Sequence, residues 1–77
     1  MVPLSKLGAG EIGLVSKLNG GRRMVSRLAA LGFTPDAEVV MVQNFGHGPL
    51  IVNVRDTRIA LGRGEAGKIG VVKKEAS

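Results

Sequence analysis

The stretch RRMVSRLAALGFTP, residues 22 to 35, decides the fold of this chain, because it holds one strong helix signal together with its stop. Gly32 stands where a left-handed residue ends a helix, and Phe33 follows where an apolar side chain packs back on the last turn. Pro35 then prevents the helix from resuming. A helix is therefore predicted over residues 22–31, with an apolar stripe at helical spacing formed by Met24, Val25, Leu28 and Leu31.

Two further expectations concern the start and the packing of this helix. Asn19 is predicted as the N-cap residue or a close neighbour of it, because an asparagine side chain accepts a hydrogen bond from a free amide of the first turn. The side chains expected in the core of the protein are Leu28, Leu31 and Phe33.

Aliphatic runs with the two-residue alternation of strands lie on both sides of the helix. They predict strands over residues 12–18, 38–45, 49–54, 58–61 and 69–72. Residues 62–68 are predicted as a loop or a single helical turn, and residues 73–77 as a polar tail. About five short strands with one inserted helix indicate a mainly β fold, a small closed barrel in a single domain over residues 1–77.

Composition narrows the functional classes. The 77 residues carry a formal net charge of +5, from 11 Lys and Arg against 6 Asp and Glu, and this excess favours an acidic surface as partner. The chain has no cysteine, which excludes disulfides, thiolate zinc sites and thiol redox chemistry. No apolar run approaches the roughly 20 residues that span a bilayer. We therefore expect a cytosolic protein without an integral membrane segment.

The glycine-rich loop before the last strand contains two patterns that resemble phosphate-binding motifs. Gly62, Gly64 and Gly67 spell G-x-G-x-x-G, and Lys68 completes G-x-x-x-x-G-K. A phosphate loop opens a helix whose N-terminus faces the anion. Here a strand-like segment follows instead, and Ile69 stands where the P-loop needs Ser or Thr. The loop is therefore predicted as a turn of the barrel and not as a nucleotide site.

The only histidine, His47, lies between two glycines in NFGHGPLIV, residues 44–52. It is either a metal ligand on a flexible loop or a side chain at the tip of a hairpin. Ferrous iron needs several N or O donors, and Gly46 and Gly48 supply no side-chain donor. The segment is therefore predicted as a hairpin tip, with His47 as a weak metal candidate. The carboxylates are scattered along the chain, so no catalytic residue, enzyme activity or cofactor is expected.

Nucleic-acid binding is an alternative function, because the chain is basic. Arg22, Arg23 and Arg27 on the helix could contact phosphates. Barrels that hold single strands usually offer aromatic platforms for base stacking, and Phe45 is the one aromatic side chain left for that role when Phe33 belongs to the helix cap. A solvated charged face is the commoner explanation of such a row of arginines, so nucleic acid is the less favoured partner.

Three blocks of the sequence, taken in order and spacing, resemble the FeoA family. They are residues 27–35, residues 52–61, and Glu65-Ala66 with Ile69. The resemblance implies an SH3-like barrel that serves as a small cytosolic accessory to bacterial ferrous iron uptake. It also implies a partner, the large membrane permease that carries a cytoplasmic GTPase domain. A similar domain ends some metal-dependent repressors, so a repressor-type module remains a second alternative.

The chain departs from the family pattern at two turns, where Asp36 and Asp56 stand in place of a frequent glycine. Aspartate tolerates turn geometry by bonding its own backbone, so the fold is expected to survive.

The residues predicted to meet a partner are exposed ones on the helix and the hairpin. They are Arg22, Arg23, Arg27, Phe45 and His47. Through such a partner the protein would sit at the inner face of the membrane, and a homo-oligomer is left open.

Overall fold

A computed structural model describes residues 1–75 as a six-stranded antiparallel sheet with two α-helices. The elements in chain order are β1 (Val2–Pro3), a 3₁₀ turn (Leu4–Lys6), β2 (Ile12–Leu18), α1 (Arg22–Ala30), β3 (Glu38–Gln43), β4 (Leu50–Val54), β5 (Thr57–Leu61), α2 (Arg63–Ala66) and β6 (Ile69–Lys74). The hydrogen-bonded order of the strands is β1-β6-β2-β3-β4-β5. The mainly β architecture with one helix inserted after the first long strand is thus confirmed.

Several predicted boundaries are corrected. β1 was missed, because two residues are too short to show an alternating pattern. β6 continues to Lys74, so the first two residues of the predicted tail pair with β2 through Gly13↔Lys73 and Ile12↔Lys74. The end of that tail, residues 76–77, lies outside the described residues. β3 stops at Gln43 after a register shift against β4.

The core is one cluster of aliphatic side chains around a single aromatic ring. Strand β4 shows the predicted alternation, with Leu50, Val52 and Val54 buried. The buried hydrophobic residues are Leu4, Leu7, Val15, Leu28, Phe33, Val39, Met41, Leu50, Val52, Val54, Leu61, Ala66, Ile69 and Val71. Within residues 1–75 no ladder joins β1 to β5, so this shared core, and not a ring of hydrogen bonds, holds the two ends of the sheet together.

The end of α1 is built as the sequence predicts. Gly32 has φ 112°, its amide donates to Ala29 O at 3.0 Å, and the Phe33 amide donates to Leu28 O at 3.0 Å. This pair of bonds is the Schellman motif, which satisfies carbonyls that the last turn would otherwise leave free. Leu28 and Phe33, the two side chains that the motif brings together, are both fully buried.

Arg55 reinforces this helix end from the β4–β5 turn. Its Nε donates to Gly32 O at 3.4 Å and its Nη2 to Thr34 Oγ1 at 2.6 Å. A cation at a helix C-terminus is favoured by the helix dipole. Asp36 and Asp56 have φ values of 66° and 60°, the left-handed conformation for which glycine is frequent, so both departures from the family pattern keep the turn geometry.

The N-cap residue of α1 is Gly21, which offers no side chain to cap the first turn, and Asn19 lies two residues before it, as a close neighbour and not as the cap itself. The expectation that Leu31 lies in the core is wrong. Leu31 is 41% exposed and not in the core; it keeps helical dihedral angles at the C-cap position, directly before the chain reverses at Gly32.

We expect Gly32→Ala to lower the free energy of unfolding by about 1 kcal/mol, measured by urea denaturation. Alanine resists the positive φ, and its Cβ would lie 3.1 Å from Arg55 Cδ. Gly64→Ala is the matched control, because Gly64 lies within α2 and an added Cβ meets nothing within 4 Å. An equal loss in both variants would contradict the role of the left-handed cap.

We expect Leu28→Ala to cost about 2–5 kcal/mol in the same titration, because it leaves a cavity in the core. Leu31→Ala, the same change three residues later on an exposed side chain, should stay within about 0.5 kcal/mol of the parent protein. Similar losses for the two leucines would show that Leu31 is buried in solution.

Candidate functional site

The predicted hairpin tip lies between β3 and β4, and glycines make its reversal. Gly46 and Gly48 have φ values of 86° and 74°, and an added Cβ at either would meet nothing within 4 Å. Phe45 is 71% exposed and His47 is exposed between the two glycines. The structure therefore presents an aromatic ring and an imidazole to the surroundings at one end of the sheet.

Asn44 anchors this tip, a role that its sequence neighbours do not reveal. Its Nδ2 donates to Leu7 O at 2.7 Å and to Ser5 O at 3.1 Å. Its Oδ1 accepts from the Gly46 amide at 3.0 Å and from Arg63 Nη2 at 2.5 Å. The bond to Gly46, two residues on, is the local turn that asparagine favours, and it was the only signal visible in the sequence. Asn44 thus joins the tip to the N-terminal segment and to α2.

The three helix arginines do not form one equivalent set. Arg27 forms an ion pair with Glu65 of α2. Arg22 and Arg23 are exposed, and among residues 1–75 neither has a carboxylate within ion-pair distance. Uncompensated positive charge therefore lies at the start of α1, whereas the charge at its end is neutralised.

The short helix α2 contacts both regions that were predicted to meet a partner, the hairpin tip and α1. Arg63 reaches the base of the hairpin tip through Asn44, and Glu65 reaches α1 through Arg27. Ala66, between these contacts and the last strand, is fully buried and fixes α2 to the core. The glycine-rich segment that resembled a phosphate motif therefore has a structural role: its residues connect the tip to α1.

Glu11, the residue directly before β2, is held by two hydrogen bonds. The hydrogen bond from Lys73 Nζ, at 2.6 Å, and that from the Gly8 amide, also at 2.6 Å, hold the pKa of the Glu11 carboxyl below its usual range. Both partners stabilise the ionised form. A carboxylate held ionised by fixed donors suits an anchor between β2 and β6 better than an acid or a base.

A charged groove of about 590 Å³ lies beside the α1–β3 connection, and Asp36, Glu38 and Asp56 line it together with Arg55. Over residues 1–75, however, no group of three or more His, Asp or Glu side chains is placed to hold a metal ion. His47 remains a weak metal candidate, because the described residues place no group of further ligands around it.

No helix within residues 1–75 is long and apolar enough to cross a membrane.

Comparison with known proteins identifies the family. The model of the family described as "FeoA domain" matches residues 2–73. A protein of Methanocaldococcus jannaschii that carries the name "Putative Fe(2+) transport protein A" is 33% identical over 75 residues, which are 97% of this chain and 90% of that protein.

Two solved structures agree with this family. The crystal structure of an iron uptake regulatory protein, FeoA, superposes with a TM-score of 0.89 at 37% identity and covers 95% of this chain and 97% of its own. FeoA of Stenotrophomonas maltophilia, solved with zinc and described as a prokaryotic SH3 domain protein, gives 0.79 at 34% identity over 94% and 91% of the two chains. The predicted SH3-like fold is thereby confirmed, and the chain belongs to the FeoA family.

Proposed function

We propose that the protein is a non-enzymatic cytosolic accessory module of a ferrous iron uptake system, and that it acts on the cytosolic, GTPase-bearing part of the membrane permease. The observation that carries the proposal is membership of the FeoA family over residues 2–73. The relative from Methanocaldococcus jannaschii is named for Fe(2+) transport, and the first solved structure above is named for iron uptake.

The distribution of chemical groups supports a role in protein contact. The described residues place an exposed aromatic ring, Phe45, on an anchored tip, and two uncompensated guanidinium groups, Arg22 and Arg23, on α1. Aromatic and arginine side chains are the types most enriched at interaction hot spots. His47, two residues further along the same tip, is exposed as well and offers a polar group to a partner.

The nucleic-acid alternative receives less support from the surface. Base stacking needs exposed aromatic rings, and Phe33, the other aromatic residue, is fully buried. Arg27, one of three arginines that could contact phosphates, is neutralised by Glu65. One ring at the tip and two arginines on α1 make a poor track for a single strand.

The association itself is testable by capture with the purified cytosolic part of the permease. The parent chain should be retained, and Arg22→Glu with Arg23→Glu should weaken retention by about 5–30-fold, the equivalent of 1–2 kcal/mol. The matched control is Arg58→Glu with Lys68→Glu, since both residues are exposed and the change in net charge is the same. If the parent chain is not retained, the proposed function is refuted. If the variant with Arg22→Glu and Arg23→Glu is fully retained, the start of α1 is not part of the binding surface.

The anchored tip gives a separate expectation about stability. We expect Asn44→Ala to lower the free energy of unfolding by about 1–3 kcal/mol, because it leaves the Leu7 carbonyl and the Arg63 guanidinium without a partner. Gln43→Ala, the neighbouring half-buried amide, is the control and should cost less. Thermal unfolding monitored by circular dichroism compares the stability of the two variants. A loss of stability in Gln43→Ala that equals the loss in Asn44→Ala would contradict the anchoring role.

A further inference from the structure

An open groove of about 400 Å³ lies between α1 and β2, away from the hairpin tip. Its walls are mostly apolar, with Leu18 on the strand side, Val25 and Ala29 on the helix side, and Pro35 at one end. The volume falls in the range of sites that hold a small ligand or a few side chains. The groove is therefore large enough for an aliphatic side chain and its flanking backbone.

One wall of the groove is a strand edge without a strand neighbour. β2 pairs with β3 only as far as Leu14, and Val15 exchanges backbone hydrogen bonds with Asp36 and Ala37 at 2.7 and 2.9 Å. Beyond Val15, β2 pairs with β6 alone, through Lys17↔Gly70 and Leu18↔Ile69, and Ser16 lies at a register shift in that ladder. An edge of this kind offers backbone donors and acceptors to an added extended segment.

The end of the groove where β2 leads into α1 is positively charged. Lys17 lines the groove from the strand. Arg22 lies three residues before Val25 and seven before Ala29, so it belongs to the same face of α1 as the groove wall. The ion pairs of residues 1–75 involve Arg27, Lys73 and Lys74 and leave Lys17 and Arg22 uncompensated.

We propose that this groove binds a short extended segment of a partner protein, with an aliphatic side chain against Val25 and Ala29 and an acidic side chain beside Lys17 and Arg22. The backbone of the segment hydrogen-bonds to the free edge of β2, and the two cations set which end of the segment carries the acid. The inference rests on the proposed function only for the existence of a protein partner. The chemistry of the segment follows from the groove.

Charge argues for a partner protein over a second copy of this chain. The chain carries a net charge of +5, so another copy would on average bring positive charge to a positive groove. A nucleic acid is a poor occupant as well. The groove walls expose no aromatic ring for base stacking, since Phe33 at its floor is fully buried.

The test uses the full chain and short synthetic peptides, each with one central leucine flanked by glutamates, serines or lysines. Fluorescence anisotropy should show binding of the glutamate peptides, weaker binding of the serine peptides and none of the lysine peptides. Failure of every peptide up to about millimolar concentration, the weak end of measurable affinity, would overturn the proposal, as would equal binding of the lysine peptides.

A pair of variants on one helix locates the binding. Ala29→Glu places a carboxylate in the groove and should lower the affinity for the glutamate peptides by about tenfold or more. Ala30→Glu makes the same change on the exposed neighbour, outside the groove, and should change the affinity by less than about threefold. Unchanged affinity in Ala29→Glu, or an equal loss in both variants, would overturn the assignment.

A second pair covers the case in which Ala29→Glu does not fold, as judged by circular dichroism. Arg22→Glu should weaken the binding of the glutamate peptides. Arg58→Glu, a change at an exposed residue of β5, should leave that binding unchanged. Equal losses of affinity in the two variants would overturn the proposal. Displacement of the peptides by random single-stranded RNA in proportion to its charge would also overturn it. The peptide experiments contain no permease. A failure of the peptides to bind would therefore contradict the groove proposal without changing the result of the capture by the permease, so the two proposals can be tested separately.

Discussion

The left-handed turn after α1 is the constraint on which the rest of the structure depends. Gly32 at φ 112° reverses the chain, and the Phe33 amide bond to Leu28 O places the largest buried side chain of the protein against the helix. The chain then passes Pro35 and docks on β2, where the Asp36 amide donates to Val15 O at 2.7 Å. One glycine conformation therefore sets the position of α1 against β2 and the entry into β3.

The two sides of that turn produce different surfaces. On one side the reversal leaves a gap between α1 and the unpaired part of β2, and this gap is the groove of about 400 Å³. On the other side α1 meets α2 through the ion pair of Arg27 with Glu65. An exposed ion pair contributes little to stability, so its main effect here is to remove positive charge from the end of α1 and leave it at the start.

The small helix α2 explains how a short chain can present a defined tip. A glycine-rich loop without contacts would be a poor support for Phe45. Through Arg63 the helix holds Asn44, and through Ala66 it is fixed to the core. The tip and α1 are thereby both tied to a four-residue element that is itself packed on the core. Such pre-ordering reduces the entropy lost when a surface binds a partner, which suits an accessory module.

The sequence by itself determined the features that depend on neighbouring residues. The helix stop at Gly32, the alternation of β4 and the reversal between Gly46 and Gly48 could all be predicted, because propensity and periodicity act over a few residues. Membership of the FeoA family was indicated separately, by the resemblance of three sequence blocks to that family. The mainly β class followed from the same local patterns, whereas the two-residue strand β1 did not, since it exists only through its pairing with β6.

Only the tertiary structure decided which side chains are tied up in contacts within the protein and which are exposed to a partner. Asn44 bonds Leu7, 37 residues away, and Arg27 pairs with Glu65, 38 residues away, so no local pattern shows that one is an anchor and the other is neutralised. The exposure of Leu31 and the groove beside Ala29 were hidden for the same reason. Periodicity tells which face of an element is apolar, but the distance at which the next element packs decides whether that face is covered.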